Sequence, residues 1–421
     1  MTCQQAIEFL YSRLKFGSVP GLERIYALCE RLGNPQDKLK FIHVAGTNGK
    51  GSVCHMLSRM FIHAGYKTGL FTSPYVIDFR ERMQINGSMI PESELALLME
   101  EVKPHVEYLD SVGITPTEFE VLTALAFLYY FRNGCDVVVL EVGLGGLCDS
   151  TNVINDTDVC VITSLSFDHT HILGNTIEEI AFQKSGIIKQ GSAVALYPQI
   201  YEKAAEIVED TASEKGCTLF KADKEQLVPV KSDFSGCEFV YKNIPLKTKL
   251  IGSHQMLNAI TAFEAAKAAQ SKGYNLTDDD IIYGIANASV PARTQIYSAD
   301  PLIVIDGSHN VDGLTALREN LLSVFGSYKI SAVIGMMKDK DVNDSVKLIA
   351  PLCDRMTAVT VKNDRSMTCT EMKEILSHYC GNVSECEDSA EAFRKAKSEL
   401  KEGEMLLVCG SLYLASEIEN I

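Results

Sequence analysis

From residue 40 onward, short apolar runs alternate with longer stretches in which apolar positions recur every three or four residues. KFIHVAG, the amphipathic GSVCHMLSRMFIHAGY and KTGLFTSP set the rhythm. It continues through helical TEFEVLTALAFLYYFRNG, the apolar run DVVVLEVG, the strand VCVITSLS, helical TIEEIAFQKSGIIK and the strand SAVALYP. Strands so rich in Val, Ile and Leu predict a parallel sheet covered on both faces. Between about 217 and 251 the segments shorten and alternate (LFKADKEQLVPV, CEFVYKN, PLKTKLIG), which predicts a small antiparallel elaboration of the first domain. The amphipathic helix HQMLNAITAFEAAKAAQSKGY and a weaker one at DDDIIYGIANA follow.

A second βα series begins at PLIVIDGSHN and passes through KISAVIGMM, RMTAVTV and EMLLVCGSLYLA. With 421 residues the chain exceeds what one core organises, and the pattern predicts an α/β domain over 1–290, a hinge at 291–299 and a smaller Rossmann-like α/β domain over 300–421. The hinge lies in SVPARTQIYSAD, which holds Pro291 and little periodicity.

Composition narrows the function classes. Hydrophobic residues at 46% and charged residues at 22% fit a packed soluble enzyme and exclude a disordered chain. Lys and Arg total 39 against 55 Asp and Glu, a net charge of −16, so a grip on a nucleic-acid backbone is not expected. Any anionic ligand must be met by a few cations and backbone N–H groups gathered locally. The N-terminal MTCQQAIEFLYSRLKFG reads as a short amphipathic helix rather than a signal peptide. No uncharged apolar run approaches the roughly 18–20 residues that span a bilayer, so a cytoplasmic monomer without a membrane partner is expected. The thirteen cysteines are scattered without a CxxC pair and read as reduced thiols, most of them small buried hydrophobes such as Cys135, Cys160 and Cys409.

The strongest local signal is His43-Val44-Ala45-Gly46-Thr47-Asn48-Gly49-Lys50-Gly51-Ser52, between a predicted strand and a predicted helix. Its glycines allow successive N–H groups to turn toward phosphate oxygens at a helix N-terminus. Lys50 would reach the terminal phosphates and the Ser52 hydroxyl a magnesium ion. The order departs from the standard G-x-x-x-x-G-K-[ST], since Gly51 follows the lysine and Val44 holds the first glycine position. The bland alternative is a glycine-rich turn with one solvated lysine. Glu141 ends the DVVVLE run, and a carboxylate there is expensive to bury unless it meets a cation or hydrogen-bond donors, so it is a metal-ligand candidate. Phe167-Asp168-His169-Thr170 follows the next strand, at the edge where open α/β sheets bind ligands.

The variant G-T-N-G-K-G-S resembles the phosphate loop of the folylpolyglutamate synthase and dihydrofolate synthase family, relatives of the Mur ligases, and further segments match in order as far as Ser411. Ser73-Pro74-Tyr75 with Glu81-Arg82 and Asn86-Gly87 resembles the family's folate-side loop, with Tyr75 where histidine is usual. Read alone, Asn86-Gly87 is a hairpin turn and Arg82 an ordinary surface charge. The resemblance implies ATP held by Gly46, Thr47, Asn48, Gly49, Lys50, Gly51, Ser52, Gln255, Asn258, Arg293 and Asp306. It implies magnesium at Ser52, Ser73, Glu141 and His169, and substrate contacts from Tyr75, Arg82, Phe119, Thr123, Asp149, Asp168, His309 and Ser411. Lys184, in Gln183-Lys184-Ser185-Gly186-Ile187, stands where relatives carry a carbamylated lysine; the plain alternative is a helix lysine paired with a carboxylate.

The implied fold is an N-terminal phosphate-loop ATPase domain of the Mur-ligase kind plus a C-terminal glutamate-ligase domain. The implied reaction is ATP-dependent addition of L-glutamate to folate through an acyl phosphate, with Lys50, Lys184, Asp306 and His309 as the catalytic set. Two alternatives stay open: dihydropteroate as the acceptor, alone or beside folate, and a phosphate-loop ATPase or kinase acting with a partner.

Overall fold

The computed structural model describes residues 1–17 and 19–421. Two compact units emerge, one of residues 1–225 with 257–288, the other of residues 226–256 with 289–421.

The first unit is built on an eight-stranded sheet of β1 (Phe41–Ala45), β2 (Thr68–Phe71), β3 (Met83–Ile85), β4 (Ser88–Met89), β5 (Val137–Glu141), β6 (Val159–Ile162), β7 (Ala193–Leu196) and β8 (Thr218–Lys221), ordered β4-β3-β2-β5-β1-β6-β7-β8. Six strands are parallel, and only β3 and β4 at one edge run antiparallel to their neighbours. The Val/Ile/Leu runs are buried throughout β1, β2, β5, β6 and β7, as strands covered on both faces require.

The helices of this unit are α1 (Cys3–Tyr11), α2 (Glu23–Arg31), α3 (Lys50–His63), α4 (Glu92–Ser111), α5 (Glu118–Arg132), α6 (Thr170–Leu173), α7 (Ile177–Ser185), α8 (Glu202–Glu214), α9 (Ser253–Ser271, which belongs here from residue 257 on) and α10 (Asp278–Asn287). The apolar faces of α1, α2, α4 and α5 bury Phe41, Phe71, Val138 and Leu140 of the sheet. Helices α7 and α8 cover Cys160, Ile162, Val194 and Leu196. Helix α3 packs on β1, β2 and β5 with α10 laid over it. No helix is long and apolar enough to cross a membrane among the described residues. All thirteen cysteines are free thiols; Cys160 and Cys409 are buried as expected, Cys135 is half-buried and Cys148 exposed.

The second unit carries a three-stranded antiparallel sheet of β9 (Leu227–Asp233), β10 (Gly236–Tyr241) and β11 (Ile244–Thr248). It also carries a six-stranded sheet of β12 (Gln295–Ala299), β13 (Leu302–Ile305), β14 (Lys329–Ile334), β15 (Cys353–Val359), β16 (Val383–Cys386) and β17 (Glu404–Cys409), ordered β12-β13-β17-β14-β15-β16. Helices α11 (Val311–Ser323), α12 (Val342–Ile349) and α13 (Cys369–Leu376) share one apolar cluster with the sheet, while α14 (Ser389–Ser398) and α15 (Leu412–Glu419) pack on each other.

Two sequence expectations are corrected here. The antiparallel segment was expected to elaborate the first domain, yet residues 226–256 belong to the second unit. Phe234 packs on Phe325 and Tyr328, and Ile251 joins the core of the six-stranded sheet, so its apolar contacts are there. Its first piece, LFK, is instead β8, a parallel edge strand of the first sheet. The expected hinge at 291–299 is not a loose linker either. Residues 295–299 form β12, antiparallel to β13, and Ala292 and Thr294 bond to Gly307 and Asp306.

Candidate active site

The central strand β1 delivers the loop 46–49 to the N-terminus of α3, whose N-cap is Gly49. Glycine is required at two places. Gly46 has φ 155°, and a Cβ there would stand 1.8 Å from Thr163 Oγ1; Gly49 has φ 85°, and its Cβ would meet Asn258 Oδ1 at 2.3 Å. The loop is clamped from below by the end of β6. Thr47 N–H donates to Ser164 O (2.7 Å), Thr47 Oγ1 to Ser166 O (3.0 Å), and Thr163 Oγ1 to Asn48 O (2.8 Å). Thr163, Ser164 and Ser166 were not singled out from the sequence. The signal was there, in hydroxyl residues replacing aliphatic ones where VCVITSLS leaves the sheet.

Two ammonium groups converge on one carbonyl. Lys50 Nζ donates to Gly46 O (3.1 Å) and Thr47 O (3.2 Å), and Lys184 Nζ donates to Gly46 O at 2.8 Å. Burial, reinforced by the Lys50 charge, pushes the Lys184 amine down to about 7. The nearby charges of Asp168 and Asp149 pull the other way, toward the protonated amine. Ser52 is buried one turn into α3.

Glu141, buried at the end of β5, accepts from Ser73 N–H at 3.2 Å, and the α-carbon of Gly51 faces its carboxylate. His169 adopts left-handed φ 50°, and its Nε2 lies 3.8 Å from Asp168 Oδ1. No three His, Cys, Asp or Glu side chains converge as a metal cluster among the described residues. Glu141 with the Ser52 and Ser73 hydroxyls suits magnesium, which takes one or two protein oxygens and completes its shell with phosphate and water.

The folate-side loop is organised by its own acid. The Glu81 carboxylate accepts the N–H groups of Val76, Ile77 and Asp78, each at 2.9 Å. Arg82 is no surface charge: it is buried, bonded to Glu118 at 2.6 Å and set near the Phe79 and Phe119 rings. Asn86-Gly87 forms the expected hairpin turn between β3 and β4, with φ 51° and 76°. Tyr75 bonds through its hydroxyl to that of Tyr11 (2.6 Å). Thr117 caps α5, which places Phe119 against Phe71 and turns the Thr123 hydroxyl onto its own helix. The Asp149 carboxylate is taken up by Leu144 N, Thr151 N and Thr151 Oγ1, so its visible work is to shape the glycine loop 143–146.

Arg82 and Glu118 yield a stability prediction. Arg82→Ala strands a buried carboxylate and is expected to cost about 3–5 kcal/mol in urea unfolding. Arg82→Met combined with Glu118→Leu should recover most of that loss.

In the second unit, Asp306 directly follows β13 and accepts from Thr294 N, Thr294 Oγ1 and Ser308 N, each at 2.8 Å. Arg293 sits between two left-handed non-glycine residues, Ala292 (φ 54°) and Thr294 (φ 45°), a strained turn of the kind found at binding sites. Burial, opposed by Asp306 and aided by Arg293, holds the His254 imidazole down at about 4. His309 turns Nδ1 to Gly307 O (2.9 Å). Ser411 caps α15 through Tyr413 N, and Gln255 is buried near the start of α9. Asn258, further along α9, is the expected nucleotide residue that lies against the phosphate loop.

Comparison with known proteins agrees along the whole chain. Residues 44–266 match the Mur ligase middle domain and residues 292–412 the Mur ligase glutamate ligase domain. The dihydrofolate synthase/folylpolyglutamate synthase of Bacillus subtilis is 36% identical over 99% of this chain and 98% of its own. That of Escherichia coli is 32% identical over 95% and 91%. Among solved structures, Mycobacterium tuberculosis folylpolyglutamate synthase complexed with ADP superposes with a TM-score of 0.90 at 28% identity, covering 99% of this chain and 97% of that one. Escherichia coli FolC in complex with DHPP and ADP gives 0.86 at 29%, covering 100% and 97%.

Proposed function

The chain belongs to the folylpolyglutamate synthase/dihydrofolate synthase family of the Mur ligases, ATP-dependent glutamate ligases, and on that premise we propose that it adds L-glutamate to the terminal carboxylate of tetrahydrofolate. The observation that carries the reading is the phosphate loop, with two lysines aimed at the Gly46 carbonyl and Glu141 beside Gly51.

A carboxylate at neutral pH has no leaving group for amide formation, so it must first be activated. In this reading an oxygen of the acceptor carboxylate attacks the γ-phosphorus of ATP, breaking its bond to the bridging oxygen and releasing ADP. The N–H groups of residues 46–52 and the Lys50 ammonium stabilise charge on the phosphate oxygens as it builds. Magnesium, held by Glu141, Ser52, Ser73 and His169, would neutralise phosphate charge. The amine of glutamate, having lost a proton, then attacks the acyl carbon, and inorganic phosphate leaves with the oxygen that came from the acceptor. Arg293 and Asp306 serve the nucleotide, and His309 orients the amino acid or accepts its proton. Arg82, Phe119 and Tyr75 line the acceptor side, and Ser411 contacts glutamate. Lys184 reacts with carbon dioxide to give a carbamate. The enzyme acts as a monomer in the cytoplasm, where its free thiols stay reduced.

The experiment follows the oxygen. Acceptor labelled with oxygen-18 in its terminal carboxylate should pass one label into phosphate in each turnover; unlabelled phosphate excludes the acyl phosphate. Running the same assay with tetrahydrofolate and dihydropteroate tests the second reading, favoured by relatives named for both activities. ADP release indifferent to glutamate and to either pterin would overturn both.

A further inference from the structure

Asn320 lies on α11 and is only 1% exposed, so its primary amide needs partners inside the fold. Its Nδ2 meets two acceptors from stretches distant in sequence, Ile251 O at 3.4 Å and Thr294 Oγ1 at 3.0 Å. Its Oδ1 lies against Gly252, which has φ 112° and where a Cβ would stand 2.3 Å from that oxygen. The chain leaves the second unit after residue 256 and returns to it at residue 289. One buried side chain therefore grips both the stretch that ends at the exit and the stretch that follows the return. Each stretch holds a residue that the ligase reading gives to the nucleotide, Gln255 in the first and Arg293 in the second.

The bonds run in one direction. Asp306 Oδ2 accepts the Thr294 N–H, so it also takes the proton of Thr294 Oγ1, at 2.8 Å, and the hydroxyl offers Asn320 a lone pair. The result is a chain from amide through hydroxyl to carboxylate. Thr294 needs such a hold, because it is β-branched at φ 45°, and Ala292 stands at φ 54°; both conformations carry a backbone cost that the surroundings must offset. Ala292 is held in turn by Gly307 N–H on its carbonyl (2.8 Å) and by Gln295 Oε1 on its N–H (2.8 Å). Arg293 is the residue between them, half-buried while both neighbours are buried. Its backbone is thus pinned on either side.

We infer that Asn320, acting through Thr294, is a positioning residue that sets where the Arg293 guanidinium meets the phosphates of the nucleotide. The inference rests on the ligase reading above, which uses Arg293 and assigns nothing to Asn320. A guanidinium serves phosphoryl transfer only if it is in place before charge builds, and a displacement of about 1 Å can cost on the order of a hundredfold in rate. Without the amide donor, the turn relaxes from its two left-handed conformations and carries Arg293 with it.

The test is a double-mutant cycle on the full chain, read by steady-state kinetics with ATP and glutamate varied in turn. Asn320→Leu, similar in size but without a donor, is expected to lower kcat/KM for ATP by about 10–100-fold while KM for glutamate and for the acceptor stays within about twofold. Thr294→Val removes the hydroxyl and keeps the branch, so it should lose as much, whereas Thr294→Ser keeps the hydroxyl and should stay within about twofold of wild type. In an Arg293→Ala background, Asn320→Leu should cost less than about twofold, because the side chain it places is gone. If Asn320→Leu does not fold, Thr294→Val takes its place in the cycle. Losses that multiply in the double mutant, or a glutamate KM raised as much as that for ATP, overturn this inference and leave the ligase reading standing. Wild type without glutamate-dependent ADP release overturns the ligase reading instead.

Discussion

Lys50→Ala lowers glutamate-dependent ADP release by at least about a thousandfold, with the thermal midpoint held within about 2 °C. The two halves of this expectation come from one observation. The Lys50 ammonium donates to carbonyls of its own loop, Gly46 and Thr47, and is in no ion pair among the described residues, so its removal leaves no buried charge stranded. The same position lets it swing to the terminal phosphates, where a fixed positive charge acts on charge that grows during phosphoryl transfer. Measuring turnover beside a melting curve separates the two. Near wild-type turnover would remove Lys50 from its role, and a collapsed midpoint would make it structural.

Lys184→Ala is the second large effect, a loss of about 10–100-fold that acetate or formate partly restores. The amine is buried, and with its proton affinity lowered to about 7 a substantial neutral fraction exists at physiological pH. In the proposed carbamylation that neutral nitrogen would attack the carbon of CO2 and lose a proton, leaving a carbamate anion in place of a cation. A small carboxylate carries the same charge and shape into the space that alanine leaves. Activity of the wild type should therefore rise with added bicarbonate and with pH through about 7. No response to bicarbonate, together with no rescue by formate, would leave Lys184 as a plain amine.

The same lysine sets a slope in stability. Its native value is lowered and its unfolded value is ordinary, so between about 7 and 10.5 the unfolded chain holds more protons than the native one. Its contribution to folding therefore improves as pH rises through that window. Below it, both states carry the charge and the cost of burying it is paid in full. Urea midpoints at pH 6 and 9 should differ more for wild type than for Lys184→Met.

Much of this was legible in the sequence because the signals are local. The run from Val44 to Ser52 encodes strand, glycine turn and helix in one piece, and Glu141 stands out as an acid at the end of a valine run. Asn86 with Gly87 announces a hairpin turn, which is found. What was not legible depends on residues far apart in the chain. Nothing near Tyr75 reveals that Tyr11 meets its hydroxyl, and nothing near Arg82 reveals Glu118. The segment 226–256 was assigned to the wrong unit because sequence order favours the domain just finished, whereas the partner of Phe234 is Phe325, ninety-one positions on. The strand within the expected hinge was hidden for a related reason. Gln295–Ala299 alternates weakly, and only pairing with Leu302–Ile305 makes it a strand.

That early segment has a consequence for biosynthesis. Strands β9–β11 emerge from the ribosome well before the partners of Phe234 and Ile251, so their apolar side waits uncovered while α9 and α10 are made. Nascent chains arrested near residue 290 should engage chaperones more than full-length ones. By the same logic, a recombinant fragment starting at residue 289 lacks a piece of its own core and should aggregate, whereas one in which 226–256 is fused ahead of 289 should stay monodisperse.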